Sequence, residues 1–167
     1  LTLDYFLTRD VMGDDPLTTD IEPVEPFTLG VRVKNGGMAV AKSVKIESAQ
    51  PKIIDNQQGL LINFKITGSY LNDTPVANSL LINFGDIAAS SASVGRWLME
   101  STLAGQFVDF TASFTHADEL GGAMTSLMQA TNAHFLIRDV RVDLPGRDLI
   151  RDFLAQDGDV IRVYESE

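Results

Sequence analysis

Few residues in this chain have the types and spacing to do chemistry. There are two histidines, His116 and His134, and no cysteine. Without Cys there is no thiolate nucleophile, no disulfide and no thiolate metal site. His116 lies in Thr115-His116-Ala117-Asp118-Glu119, where an imidazole and two carboxylates could hold zinc or shuttle a proton. A zinc site needs three or four spaced ligands, however, and a strand end entering the turn Leu120-Gly121-Gly122 accounts for the same residues. His134 precedes Phe135 in an apolar stretch, the setting of a structural histidine. Pairing it with His116 and Asp139 requires long-range geometry that spacing does not supply. Ser90, Ser91, Ser93, Ser101 and Ser126 all lack the Gly-x-Ser-x-Gly setting of a hydrolase elbow. No enzyme is predicted.

The acidic loops are the stronger candidates. Asp10, Asp14, Asp15 and Asp20 surround Gly13 and Pro16, and Asp152, Asp157 and Asp159 surround Gly158. Flexible carboxylate loops can offer calcium its six to eight oxygens, and Asp14, Asp15, Asp157 and Asp159 would be the ligands. Neither cluster follows the twelve-residue loop ending in a bidentate Glu, so solvated carboxylates are the preferred reading and no cofactor is expected. In Asp143-Leu144-Pro145-Gly146-Arg147-Asp148, Pro and Gly force a change of direction. The spacing of Leu149, Ile150, Phe153 and Leu154 then predicts a short amphipathic helix over Asp148 to Ala155, with Arg147 and Arg151 four apart on its charged face. Trp97, amid Leu98 and Met99, reads as core rather than as a sugar-stacking platform.

The elements that must position these residues are strands. Phe27, Leu29, Val31 and Val33 alternate with Thr28, Arg32 and Lys34, the period of a half-buried strand. Asn35-Gly36-Gly37 supplies a tight turn, and Val44 and Ile46 continue inward. Leu60, Ile62, Phe64 and Ile66 alternate next, after the turn Asp55-Asn56-Gln57-Gln58-Gly59. Further sets are Leu80, Ile82 and Phe84; Val94 to Met99; Val108, Phe110, Ala112, Phe114 and His116; Phe135 and Ile137; and Val160 to Tyr164. Short strands between turn signals predict an all-β antiparallel sandwich. Residues 1–25, with Pro16 and Pro23 inside and Pro26 just beyond, read as an edge strand and lead-in, and 117–167 as a C-terminal extension of a single 1–167 domain.

The 167 residues carry a net charge of -10, from 23 Asp+Glu against 13 Lys+Arg. That balance excludes a nucleic-acid partner, which needs a concentrated basic face, and disfavours anionic membrane surfaces. No apolar run approaches the ~20 residues of a membrane helix. The abrupt ends, Leu1-Thr2-Leu3 and Glu165-Ser166-Glu167, suggest a module cut from a larger protein.

The stretch Glu25-Pro26-Phe27-Thr28-Leu29-Gly30-Val31-Arg32-Val33-Lys34-Asn35-Gly36-Gly37, through Ala41 and Val44, resembles bacterial immunoglobulin-like surface modules, nearest to the cell-adhesion-related domain found in bacteria. Leu81-Ile82-Asn83-Phe84-Gly85-Asp86-Ile87-Ala88-Ala89, followed by Trp97, is similar to their later segment. The resemblance covers about residues 26 to 116. Ala88-Ala89-Ser90 departs from it where a second Gly is frequent, and the last fifty or so residues have no counterpart. It implies an immunoglobulin-like sandwich and an extracellular, cell-surface or periplasmic setting, and it carries no catalytic residue. The expected function is a non-catalytic interaction or spacer module that meets protein or carbohydrate beside neighbouring domains of its own chain. The alternative is a carbohydrate- or calcium-binding accessory domain of an extracellular hydrolase.

Overall fold

A computed structural model describes residues 1–47, 63–106, 115–116 and 129–167. Their strands, in chain order, are β1 (Thr2–Leu7), β2 (Asp10–Val11), β3 (Phe27–Asn35), β4 (Ala41–Glu47), β5 (Phe64–Leu71), β6 (Thr74–Val76), β7 (Leu81–Ile87), β8 (Ser91–Ser101), β9 (Gly105–Gln106), β10 (Thr115–His116), β11 (Ala130–Val140), β12 (Asp152–Asp157) and β13 (Val160–Tyr164). The chain is all-β, and no helix occurs among the described residues. Eight strands form the main sheet in the order β13-β12-β11-β1-β3-β8-β5-β6; β10-β4-β7 form a second sheet, and β2-β9 a short ribbon.

Hydrophobic alternation explains the first core. Leu3, Tyr5 and Leu7 of β1, Leu29, Val31 and Val33 of β3, and Trp97 and Met99 of β8 share one face of the main sheet. They pack against Val44 and Ile46 of β4 and Ile82, Phe84 and Ile87 of β7. This face-to-face packing of two sheets is consistent with a sandwich. Asn35 ties the layers at one end: its Nδ2 donates to the carbonyls of Ala39 (2.8 Å), Ile87 (3.0 Å) and Ala88 (3.0 Å), and its Oδ1 accepts from Gly37 N–H.

The opposite face of the main sheet is covered as well, so β3 is not half-buried. The β11-β12-β13 end curls over it, and Phe153 of β12 lies on Gly30 of β3, three strands away. Phe6, Val94, Leu136, Phe153 and Ala155 form this second core, with Phe6 and Phe153 stacked at a 4.4 Å centroid distance. Burial on both faces is what lets β8 read as a nearly continuous buried run from Ser93 to Trp97.

Several expectations are corrected. Asp148 to Ala155 is not a helix: Asp152–Asp157 is strand β12, and Phe153 and Ala155 alternate into the second core, so period two wins over the apolar spacing that suggested a helix. The first strand is no edge or lead-in, because β1 lies between β11 and β3 and is almost wholly buried. Residues 129–167 are no appendage either; β11, β12 and β13 complete the main sheet. The eight-stranded order, with β1 in the interior of the sheet, is not that of immunoglobulin sheets. The turns at Asn72-Asp73 and Asp157-Gly158-Asp159 carry positive φ at Asn72, Asp73 and Gly158. The turn over 55–59 and the alternation from Val108 to Phe114 lie outside the described residues.

Candidate functional site

The second face gathers the buried charges into two clusters. In the first, neighbouring register positions on β11, β1 and β3 bring Asn132, Asp4 and Arg32 into one row. Asn132 Nδ2 donates to Asp4 Oδ1 at 2.8 Å, and Arg32 Nη1 lies 3.4 Å from Asp4 Oδ2. His134 stands one position along β11 on the same face. Its Nε2 is 3.6 Å from Asp4 Oδ1, while its Nδ1 meets Tyr164 Oη at 3.3 Å and Asp157 Oδ1 at 3.8 Å. Burial pushes the Asp4 carboxyl up, but the adjacent His134 imidazole, the bond from Asn132 and the charge of Arg32 outweigh it and hold Asp4 below its usual value. Burial, with Asp157 and Asp4 adding, raises the Tyr164 hydroxyl.

The second cluster centres on Arg96 of β8, whose side chain is only 3% exposed. Its Nη1 donates to Asp73 Oδ1 at 2.7 Å, its Nε lies 3.4 Å from Asp139 Oδ2, and its Nη2 donates to the Arg151 carbonyl. The guanidinium also sits 4.6 Å from the Phe153 ring centroid. Asp73, in the β5–β6 turn, accepts from Arg151 N–H (2.8 Å) and Arg151 Nε (3.1 Å). The cluster therefore fastens β8, the β5–β6 turn, β11 and the segment before β12 to one another. Burial dominates at Asp139 and raises its carboxyl despite Arg96 and Arg151; burial also lowers Arg96 against the pull of Asp139 and Asp73.

A cleft of about 330 Å³ opens beside the second cluster, where β11 bulges between Leu136 and Arg138. Thr8, Asp10, Glu25, Thr28, Arg138 and Asp139 border it, with Phe27 and Leu136 among its apolar walls. Thr8 Oγ1 and Asp139 Oδ1 are covered and have no hydrogen-bond partner among the described residues. Such a lining favours a ligand rich in hydroxyl or N–H donors.

The predicted site residues do not converge. Asp14 Oδ1 accepts from Glu22 N–H and Asp15 Oδ1 from Leu17 N–H, so both carboxylates organise their own loop. Asp157 faces His134 and Arg162 from the β12–β13 turn, far along the chain from that loop, and Asp159 is exposed in the same turn. Among the described residues no group of three or more His, Asp or Glu is placed to hold a metal ion. His116 pairs with Val44 at the edge of the second sheet, in a different sheet from His134; Asp118 and Glu119 lie outside the described residues. Ser91 Oγ donates to the Ala88 carbonyl, Ser93 Oγ to Asn72 Oδ1 and Ser101 Oγ to the Leu103 carbonyl, while Ser126 is outside the described residues. Trp97 is fully buried core and donates to the Ser79 carbonyl. Arg147 and Arg151 do not share a face: Arg147 binds Glu165 and Glu167, and Arg151 binds Asp73.

The sequence reading missed Arg96 and Asp73 altogether and considered Asp139 only as a partner of the two histidines. The available signal was Arg96 itself, alternating with Val94 on the side of β8 away from Trp97. A charge inside an otherwise apolar strand calls for buried partners. Comparison with protein-family models, curated proteins and solved structures finds no match to this chain. Fold and site geometry thus define an all-β protein whose main sheet is packed on both faces, with ion pairs tying the second face together.

Proposed function

We propose that this chain is a non-catalytic interaction or spacer module of a larger secreted or surface-exposed bacterial protein, meeting protein or carbohydrate beside neighbouring domains of its own chain. One observation carries the reading: the charges buried on the second face are spent on one another. Arg96 with Asp73 and Asp139, and Asp4 with Arg32 and Asn132, tie neighbouring strands and turns together, and of these only Asp139 also borders the cleft at the β11 bulge. Buried charge committed to ion pairs ties strands to one another and rigidifies the fold. The test is protease shaving of intact producing cells, followed by antibody detection of this chain. Release or loss of the signal before lysis is expected; a chain protected until lysis overturns the surface assignment.

The cleft at the β11 bulge favours a second reading, carbohydrate binding. Its carboxylates and hydroxyls could accept and donate to a sugar, as an accessory domain of an extracellular hydrolase would require. A glycan array probed with the wild type and with Thr8→Val decides it: a hit lost in T8V supports the cleft, and the absence of any hit removes this reading.

A further inference from the structure

Both ends of the main sheet are edges, but only one is blunted. β6 is three residues long and contains Pro75, which cannot donate to a neighbouring strand. β13, Val160-Ile161-Arg162-Val163-Tyr164, has no Pro and no partner on its outer side among the described residues. The two-residue loop Gly158-Asp159 makes Asp157 and Val160 the closing hydrogen-bonded pair of the β12–β13 hairpin. Alternation then points the backbone N–H and C=O of Ile161 and Val163 away from β12, into solvent. The side chains of these two residues lie on the outer face with Phe135 and are 62%, 43% and 42% exposed respectively. That face continues the first core past the point where the second sheet covers it, since Phe135 pairs with Leu7.

Charge decides what can pair here. In an antiparallel self-pairing centred on Arg162, Arg162 opposes its own copy, and Asp159 of the turn falls opposite Glu165 just past the strand. Like charges directly opposite each other are destabilising, so the edge rejects a second copy in that register. The same positions select a complementary strand. We infer that β13 accepts an extended segment of another polypeptide by antiparallel strand addition, the segment carrying a carboxylate opposite Arg162, apolar residues opposite Ile161 and Val163, and a cationic residue opposite Asp159. The inference rests on the interaction-module reading and names the class of partner.

Two capped heptapeptides at low salt test it: Lys-Thr-Val-Glu-Val-Thr-Lys, and the same sequence with Lys at the centre. Binding is read from backbone amide shifts and from slowed hydrogen exchange at Ile161 and Val163. The Glu-centred peptide is expected to bind about fivefold tighter, the scale of one cross-strand charge pair made attractive instead of repulsive. Arg162→Glu should invert that order. Val163→Pro should abolish binding of both while its circular dichroism and melting remain those of a folded chain, because the ladder to β12 does not use that N–H. The proposal is overturned by binding of neither peptide, by equal affinities, by shifts that map away from β13, or by a concentration-dependent dimer that V163P dissolves. None of these results bears on protease shaving, so the surface assignment stands or falls separately.

Discussion

The Phe153 ring occupies the space a side chain at position 30 would need: a Cβ built on Gly30 would lie 2.5 Å from Phe153 Cε1. This contact closes the curled end of the main sheet onto its own second face. Gly30→Ala should therefore destabilise the fold by about 1–3 kcal/mol, the usual cost of overpacking a filled core. In a Phe153→Leu background the same substitution should cost clearly less, because the clashing ring edge is gone. Denaturant unfolding of the four proteins gives the coupling directly, and additive costs would mean that the ring does not set the requirement for glycine.

Arg96 is the charge most deeply committed to the fold. Arg96→Met keeps much of the stem over Phe153 but leaves Asp73 and Asp139 without their shared partner. A loss of about 3–5 kcal/mol is expected from breaking a buried pair on one side. Adding Asp139→Asn to R96M should recover part of it by removing the stranded carboxylate. If R96M unfolds at the wild-type denaturant midpoint, the cluster is ornamental.

These two relationships also mark how far the residues could be read. Period two located β3, β8, β11 and β13, and the Asn35-Gly36 turn located the connection after β3, because those signals are local. Whether one or both faces of β3 are buried is not local. Thr28, Gly30 and Arg32 look like a wet face until Phe153, more than a hundred residues later, is laid over Gly30. The false helix at Asp148–Ala155 has a related origin: Leu149, Ile150, Phe153 and Leu154 fit a helical spacing, but Phe153 and Ala155 are fixed by what they pack against. The parallel β1–β11 pair joins positions about 128 residues apart, beyond any motif. The first polar cluster was illegible for the same reason, since Asn132 and His134 reach Asp4 only through that pairing.

Asn35 is expected to be irreplaceable even by its nearest relative. Its amide feeds three carbonyls, two of them at the end of β7, so Asn35→Ala leaves buried acceptors unmet and should cost about 2–3 kcal/mol. Asn35→Asp should cost at least as much at neutral pH, because a carboxylate facing those oxygens can only repel them. Thermal melting of both variants checks it, and N35D melting near the wild type would show that acceptor satisfaction is not what the site supplies.

Calcium should leave the melting temperature unchanged at millimolar concentration. Asp14 and Asp15 already accept backbone N–H groups within their loop, and Asp157 is turned toward His134 and Arg162, so no shared pocket remains for a hard cation. A rise in melting temperature that Asp157→Asn or Asp14→Asn removes would reinstate the calcium reading, since a ligand bound only by the native state must stabilise it.

Asp4 makes the sharpest pH prediction. Its folded carboxyl is held below the ordinary 3.8, so at neutral pH its ionised form favours the fold. The sign follows from proton counting: above 3.8 both states are ionised and the full contribution is present. As pH falls below 3.8 the unfolded chain takes up the proton first, and the contribution drains away until the folded carboxyl is protonated too. Asp4→Asn, which keeps the shape but loses the charge facing Arg32, should thus be clearly less stable than the wild type at pH 7. That gap should narrow progressively as pH drops through and below 3.8. Paired melting curves across that range measure it, and a gap that stays constant with pH would mean that Asp4 contributes through shape and hydrogen bonds alone rather than through its charge.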